Sequence, residues 1–290
     1  MSDFDSKLFL VGVGAQKAGT TWLARYLGEH PDVYVSRLKE LHYFDAVCPT
    51  PSRVDVGKRM IRLAKEVSAG LELNGSRVNV KAMDKLLAVI DRLQMQADPK
   101  YPYMRFFHDR VKEESVFCDI TPGYSLLDAS GYQSILKMHP RVRFIFLMRD
   151  PIERYWSALR MGVRKMKNFD PDRRFMDLLE DKDYFFRSDY KRTIEELEKV
   201  AKPEQIKYVF YENLFTDETA AQITSFIGVT PLPAKFDQIV NPGAKIPLAA
   251  DKLTAAYGTF RHIYDFVFEK FGKSVPASWH ATVKLASPGS

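Results

Sequence analysis

A glycine-rich stretch near the amino terminus, GVGAQKAGTTWL from residue 12 to 23, has the residue types of a phosphate-binding loop. Glycines let backbone amides turn toward an anion, and a following helix points its N-terminal N–H groups at the same place. Lys17 adds a positive charge, and Thr20 and Thr21 add hydroxyl donors. The stretch predicts an anion-binding loop, against the alternative of a tight strand–helix turn with a surface lysine.

The same stretch departs from both common nucleotide-binding patterns. A triphosphate P-loop reads G-x-x-x-x-G-K-[ST], and Gly14 and Gly19 have that spacing, but Thr20 stands where the lysine belongs. A G-x-G-x-x-G pattern fails as well, because Lys17 occupies the place of the third glycine. The loop therefore predicts a smaller anionic group than a magnesium-bound triphosphate. A phosphosulfate qualifies, and it needs no metal.

The flanking residues predict the elements that hold this loop. LFLVGVG before it is a continuous apolar run, typical of a buried parallel strand, and TTWLARYLGEH after it has helical spacing. The runs VYVS, SVFCDIT, VRFIFLMRD and IKYVFYENL predict further strands, separated by helices. The pattern indicates one α/β domain over residues 1–290, with a P-loop-like doubly wound parallel sheet flanked by helices.

Residues 46–109 interrupt this alternation. They contain no clear strand pattern, whereas VGKRMIRLAKEV and MDKLLAVIDRLQMQ have helical periodicity. We predict a helical insertion over the active-site edge that caps the acceptor side, since loops at that edge vary with substrate. At the carboxyl end, LTAAYGTFRHIYDFVFEKFG predicts an amphipathic helix pair ending near Trp279.

Two motifs together resemble a known family. QKAGTTWL resembles the 5′-phosphosulfate loop of sulfotransferases that use PAPS (3′-phosphoadenosine 5′-phosphosulfate), and FIFLMRDPIERYWSAL resembles their second cofactor motif. The resemblance implies that Arg149 and Ser157 bind the 3′-phosphate, as a guanidinium fork suits phosphate. A salt bridge from Arg149 to Asp150 or Glu153 is the structural alternative. The implied loop contacts are Lys17, Ala18, Gly19, Thr20 and Thr21.

Two further cofactor contacts follow from the resemblance. Trp22 matches the tryptophan that stacks on adenine in the cytosolic branch of the family, although an ordinary helix core residue fits the position equally. NPGAKIP offers Lys245 for the C-terminal cofactor loop.

KELHYFD supplies the candidate bases. It resembles the segment that carries a glutamate base in the heparan-type carbohydrate sulfotransferases, which implies Glu40. His42 is the competitor, because the cytosolic branch uses histidine, and a core histidine bonded to backbone is the structural alternative. In an extended run the two side chains would share a face. We favour Glu40 as general base, with Lys17 stabilising the leaving phosphate.

Composition limits the partners. The net charge of +6 favours an anionic ligand, and no dense Lys/Arg run with interleaved aromatics points to nucleic acid. Two cysteines, without zinc-type spacing, predict a cytoplasmic protein with no metal site. No membrane anchor is expected, because no apolar run is long enough to span a bilayer.

The predicted function is in-line transfer of a sulfuryl group from PAPS to a hydroxyl of a small-molecule or carbohydrate acceptor, with PAP (3′-phosphoadenosine 5′-phosphate) as product. One alternative is a P-loop kinase or NTPase, in which Asp119 at the end of VFCD would act as the magnesium-binding aspartate. The misplaced lysine argues against it. The other is a non-catalytic PAP or nucleotide binder, against which the retained loop lysine, base and phosphate ligands argue.

Overall fold

The computed structural model describes residues 3–51, 57, 61–62, 64–65, 68, 80–97, 102–165, 168–236 and 248–287. Within these ranges five parallel strands form one sheet, in the spatial order β2-β3-β1-β4-β5. Their bounds are β1 Leu8–Gly14, β2 Val33–Val35, β3 Val116–Ile120, β4 Val142–Met148 and β5 Ile206–Phe210. The predicted doubly wound parallel α/β sheet is confirmed.

Helices flank the sheet. Those whose bounds the structure describes are, in chain order, α1 Asp3–Ser6, α2 Thr20–Gly28, α3 Phe44–Val47, α4 Val80–Ala97, α5 Tyr103–His108, α6 Ala129–Met138, α7 Pro151–Lys165, α8 Phe175–Leu179, α9 Lys182–Phe185, α10 Tyr190–Glu198, α11 Asp217–Ile227, α12 Ala250–Phe271 and α13 Ala277–Ala286. Short 3₁₀ helices span Pro122–Leu126, Pro203–Gln205, Tyr211–Asn213 and Gly272–Ser274.

The central strands explain the apolar runs of the sequence. Every residue of β1 and β3 is buried, so both faces of these strands need apolar side chains rather than an alternating pattern. β1 and β3 also approach closely, because a Cβ on Gly12 would lie 2.9 Å from Ile120 Cγ2. Close packing of β1 against Ile120 of β3 therefore favours glycine at position 12.

The carboxyl-terminal stretch differs from the predicted helix pair. Residues 250–271 form one continuous helix, α12, and Trp279 lies inside the separate helix α13. The buried stripe of α12 runs from Ala256 through Phe260 to Val267 without a break. A Cβ on Gly258 would meet nothing within 4 Å, so this glycine faces open space and does not interrupt the helix.

The described part of residues 46–109 contains no strand, and its helices with described bounds are the end of α3, α4 and α5. The ion pair between Asp91 of α4 and Arg110, just after α5, joins the two. The helix predicted from VGKRMIRLAKEV falls largely outside the described residues. The extent of the insertion and its capping role stay predictions.

The sheet has one topological switch point, between β1 and β4. The chain leaves β1 for β2 on one side of the sheet, whereas it leaves β4 for β5 on the other. Open α/β sheets bind ligands in the crevice outside the carboxyl ends of such strands. Both sequence motifs meet here, since Ala15 N, after β1, donates to Leu147 O of β4 at 2.6 Å.

Candidate active site

The loop after β1, residues 15–19, turns through two left-handed residues. Lys17 has φ 73° and Gly19 has φ 90°. Ala18 N donates to Ala15 O at 3.2 Å, which closes the turn. A Cβ on Gly19 would lie 2.4 Å from Leu214 Cδ2, so both the backbone angle and the available space favour glycine here.

Helix α2 begins directly after this loop and adds polar groups to it. Gly19 is its N-cap and contributes no side-chain cap, which leaves N-terminal N–H groups for other acceptors. Thr20 is buried and Thr21 is half-buried. Lys39 Nζ donates to Thr21 Oγ1. The positive end of the helix dipole and two lysines therefore make this corner electropositive.

Arg149 follows β4 and lies against the loop. Its Nη1 is 3.5 Å from Lys17 O, and its guanidinium carbon is 4.7 Å from the centre of the Tyr211 ring. Its Nη2 lies 3.1 Å from Glu153 Oε2, so the salt bridge weighed from the sequence is present. Glu153 is half exposed, and pairs of this kind contribute little to stability. The guanidinium of Arg149 is thus held beside the loop of residues 15–19.

Asp150 fixes the start of α7 and so the point where Arg149 leaves the strand. Its Oδ1 accepts hydrogen bonds from Ile152 N at 3.0 Å and Glu153 N at 3.1 Å, which caps the helix. Tyr264 OH donates to the same oxygen at 2.8 Å. Burial raises the pKa of Asp150 to about 6 despite these hydrogen bonds.

Ser157 lies one turn beyond Glu153 in α7 and is half-buried. Residues four apart lie on the same side of a helix. Glu153 pairs with Arg149, so this spacing puts Ser157 on the same side of α7 as the partner of the arginine, and its contact with the 3′-phosphate stays a prediction.

Trp22 lies in an aromatic cluster. It is 5% exposed, and its ring stacks on Tyr26 at 5.2 Å and on Phe236 at 5.9 Å. Phe215 meets it edge-on at 5.5 Å. This is the core packing that the sequence left open, and the contact with adenine stays a prediction. Lys245 lies outside the described residues.

Residues 39–45, which follow β2 and end in the first turn of α3, carry the candidate bases, and we call them the catalytic segment. Glu40 Oε2 lies 3.4 Å from His42 Nε2, and His42 Nδ1 lies 2.6 Å from Asp45 Oδ2. Lys39 Nζ lies 3.5 Å from Glu40 Oε1. The expectation that Glu40 and His42 share a face of an extended run is wrong in its geometry. The two residues have φ 62° and 51°, and a left-handed turn brings them together.

His42 meets carboxylates through both ring nitrogens, which differs from a core histidine bonded only to backbone. Asp45 is the member of this group that the sequence did not indicate. Its side chain has no exposed area, and a Cβ on Gly123 would lie 2.3 Å from its Oδ2. The available signal was the aspartate three residues after the histidine in KELHYFD, a spacing that places both on one side of a helical turn.

A buried carboxylate supports the catalytic segment from β3. Three hydroxyls donate to Asp119 at 2.6–2.7 Å, those of Tyr103, Thr121 and Tyr124. Burial raises the pKa of Asp119. Tyr124 OH also accepts from Tyr43 N at 3.1 Å, and Thr121 Oγ1 accepts from His42 N at 3.5 Å. Both oxygens of Asp119 are engaged in structural bonds, which argues against the magnesium ligand of the kinase alternative.

A cavity of about 220 Å³ adjoins both the start of α2 and the catalytic segment. Thr21 of the anion-binding corner and Lys39 and Glu40 of the catalytic segment contribute to its wall. The rest of the wall includes the apolar side chains of Ala24, Val35, Leu38, Leu41 and Ile120. The predicted donor-binding loop and the candidate base Glu40 therefore border the same cavity.

The described ranges lack two kinds of feature. They contain no helix with the length and apolar character needed to cross a membrane. The same ranges contain no group of three or more His, Cys, Asp or Glu side chains arranged to hold a metal ion.

The chain is an α/β protein with a glycine-containing loop at the topological switch point of its sheet, beside a carboxylate–imidazole–carboxylate group. The family model described as the sulfotransferase family matches residues 10–233. The chain therefore belongs to the sulfotransferase family, which confirms the resemblance drawn from its sequence and the prediction of a sulfotransferase enzyme. No curated protein matches the chain significantly.

Solved structures add a likeness in fold. The sulfotransferase from Alicyclobacillus acidocaldarius matches with a TM-score of 0.63 and 20% identity, over 94% of this chain and 98% of that one. Sulfotransferase STF9 from Mycobacterium avium matches at 0.44 and 15%, over 90% and 77%. Mouse sulfotransferase SULT7A1 complexed with PAP matches at 0.40 and 14%, over 90% and 66%. The first of these shows a shared fold.

Proposed function

We propose that this sulfotransferase moves a sulfuryl group from PAPS to a hydroxyl group of a small-molecule or carbohydrate acceptor. One observation carries the proposal: Lys39 Nζ bonds Thr21 at the start of α2 and also lies 3.5 Å from Glu40 Oε1. A single side chain thus joins the anion-binding corner to the candidate base. Transfer from an anionic donor to a deprotonated hydroxyl needs both groups at one place.

The donor is held by residues on both sides of the switch point. The loop amides, Lys17, Thr20 and Thr21 bind the 5′-phosphosulfate. Arg149 and Ser157 bind the 3′-phosphate from the neighbouring strand and helix. The donor set fits this ligand, since it combines hydroxyls and a helix N-terminus with two cations, and guanidinium pairs well with phosphate.

PAPS supplies the sulfuryl group when bound. The acceptor hydroxyl passes its proton to Glu40 while its oxygen forms a bond to sulfur. The bond from sulfur to the 5′-phosphate oxygen breaks, that oxygen keeps the electron pair, and PAP leaves. Lys17 and the loop amides stabilise the negative charge that grows on this oxygen.

His42 has two possible roles in this arrangement. If Glu40 is the base, His42 Nε2 orients its carboxylate, and the contact of His42 Nδ1 with Asp45 Oδ2 fixes the imidazole ring. If His42 is the base instead, its Nε2 takes the acceptor proton and Asp45 stabilises the imidazolium. We favour Glu40, because it lines the cavity and is more exposed than the 5% exposed side chain of His42.

The direct test is product analysis. The protein is incubated with PAPS and a panel of phenols, alcohols and sugars, and mass spectrometry detects the added sulfuryl group. The expected result is a sulfated product that requires PAPS. Hydrolysis of magnesium ATP without sulfation would support the kinase alternative, and PAP binding without any product would support a non-catalytic binder.

A second measurement compares nucleotides by thermal unfolding. PAP is expected to raise the melting temperature, because a ligand bound only by the native state stabilises it by about 2.7 kcal/mol at a hundred times Kd. Magnesium ATP lacks the 3′-phosphate and is expected to shift it far less. Equal shifts would contradict the assignment of Arg149 and Ser157.

We further propose that the protein works in the cytoplasm. Cys48 and Cys118 are both free, which suits a reducing compartment. Fractionation of the native cells, with detection of the protein, tests this location.

A further inference from the structure

A buried arginine connects the predicted insertion to the catalytic segment. Arg92 lies in α4 and is 1% exposed. Its Nε donates to Leu41 O at 2.5 Å, and its Nη2 donates to His42 O at 2.6 Å. One guanidinium therefore bonds two successive carbonyls of the turn that contains Glu40.

This turn needs external support. Glu40 and His42 both have left-handed backbone angles, φ 62° and 51°, which crowd the Cβ of a non-glycine residue against the backbone. Such conformations persist where surrounding contacts over-determine them. Buried carbonyls also require donors. Arg92 meets both needs, because its planar fork fixes the directions of two carbonyls at once, which a single ammonium group cannot do.

The buried charges around Arg92 also indicate that it supports the catalytic segment. The side chain of Asp45 has no exposed area and Asp119 is 2% exposed, so one carboxylate of the catalytic segment and one of β3 are both buried. Desolvation lowers the pKa of Arg92, and the nearby Tyr124, Asp45 and Asp119 act in the opposite direction. Arg92 is thus a buried cation within electrostatic reach of both carboxylates. Its removal would leave them without that compensation.

We infer that Arg92 is a positioning residue, through which the insertion holds the left-handed turn that sets Glu40 against His42. Its kinetic consequence rests on the proposed function, whereas its structural consequence does not. Arg92 acts through the backbone of the catalytic segment and is assigned no contact with the reacting atoms.

The experiment uses the full chain with Arg92→Met, Arg92→Lys and the control Asp91→Asn. Asp91 is the neighbouring residue of α4, and its ion pair with Arg110 fastens the same helix. The control therefore weakens the attachment of α4 while keeping the bonds to Leu41 and His42. Two properties are measured: hydrogen exchange in a peptide covering residues 38–45, and the kinetics of sulfuryl transfer with PAPS and a phenol.

Arg92→Met is expected to speed exchange in residues 38–45 by about tenfold or more, since local opening becomes easier. We expect kcat to fall by about 10- to 100-fold, the scale of a misplaced catalytic group. The KM for PAPS should change less than about threefold, because the donor loop keeps its own backbone bonds. Arg92→Lys should restore only part of both losses. Asp91→Asn should stay within about threefold of wild type in both measurements, because Arg92 keeps its bonds to Leu41 and His42.

Each other outcome overturns the inference. Unchanged exchange in Arg92→Met does so even if the wild type transfers no sulfuryl group, which separates this test from failure of the proposed function. Faster exchange with an unchanged kcat would leave Arg92 a purely structural residue. Equal losses in Asp91→Asn would assign the effect to helix attachment. Should Arg92→Met not fold, full activity and wild-type exchange in Arg92→Lys would equally contradict the role of the fork.

Discussion

The anion-binding loop and the catalytic segment reach the same edge of the sheet, yet different interactions shape them. The loop is held by backbone bonds, from Ala18 N to Ala15 O within the loop and from Ala15 N to Leu147 O of the adjacent strand β4, and it turns at a left-handed Gly19. The catalytic segment is held by side chains from elsewhere, chiefly Arg92 of α4 and Tyr124 beyond β3. The first region is therefore shaped mainly by backbone bonds, and the second mainly by side chains that are distant in sequence.

The largest effect is expected at Glu40. Glu40→Gln keeps the size of the side chain but removes the proton acceptor, so turnover should fall by about a hundredfold or more. The affinity for PAP, measured by calorimetry, should hardly change, because the residue serves the acceptor. His42→Asn should have a smaller effect on turnover. The reverse ranking of these two variants would make His42 the base.

Lys17 tests the loop as a catalytic element. Lys17→Asn removes the charge, while asparagine tolerates the left-handed backbone angle of this position. Turnover should fall by roughly 10- to 100-fold, and PAP affinity by less than about threefold, because the charge that Lys17 meets is largest in the transition state. A rate at the wild-type level would remove Lys17 from the reaction.

Arg149 tests the loop side as a binding element. Arg149→Ala should weaken PAP binding by about 1.5–3 kcal/mol, as expected for a lost charged hydrogen bond. Turnover at saturating PAPS should change little. The matched control is Glu153→Gln, which removes the partner of Arg149 and should leave PAP affinity within about threefold, since the pair is half exposed. Equal losses of affinity in both variants would point to a structural ion pair.

The smallest effect is expected from Gly19→Ala compared with Gly228→Ala. Both glycines are left-handed, with φ 90° and 79°, but only at Gly19 would a Cβ meet a close neighbour, Leu214. Gly228→Ala should lose about 1 kcal/mol of unfolding free energy, and Gly19→Ala about 1 kcal/mol more. Denaturant unfolding measures both. Identical losses would show that the loop relaxes and is less tightly packed than its geometry indicates.

The same contrast explains how much of the molecule could be predicted. The sheet and the loop follow from local signals, because buried parallel strands are apolar throughout and the loop needs glycines. Arg149 could be placed because a strand ends just before it. These features can be recognised from local residue patterns, although the sheet itself joins strands that are distant in sequence.

The geometry of the catalytic segment could not be predicted in this way. KELHYFD identifies Glu40 and His42 as candidates, but its local pattern does not distinguish an extended run from a left-handed turn. The bonds that select the turn come from Arg92, fifty residues later, and from the residues after β3. Asp45 was missed for the same reason, since its role depends on the turn that brings it to His42.

The central claim is that Glu40 removes the proton of the acceptor hydroxyl, and a series of substituted phenols tests it most directly. Transfer rates of wild type and Glu40→Gln are measured at saturating PAPS with phenols of decreasing pKa. The account predicts that the wild-type advantage shrinks toward one as the phenol becomes more acidic, because an ionised phenol needs no base. An advantage that stays the same for every phenol would contradict it.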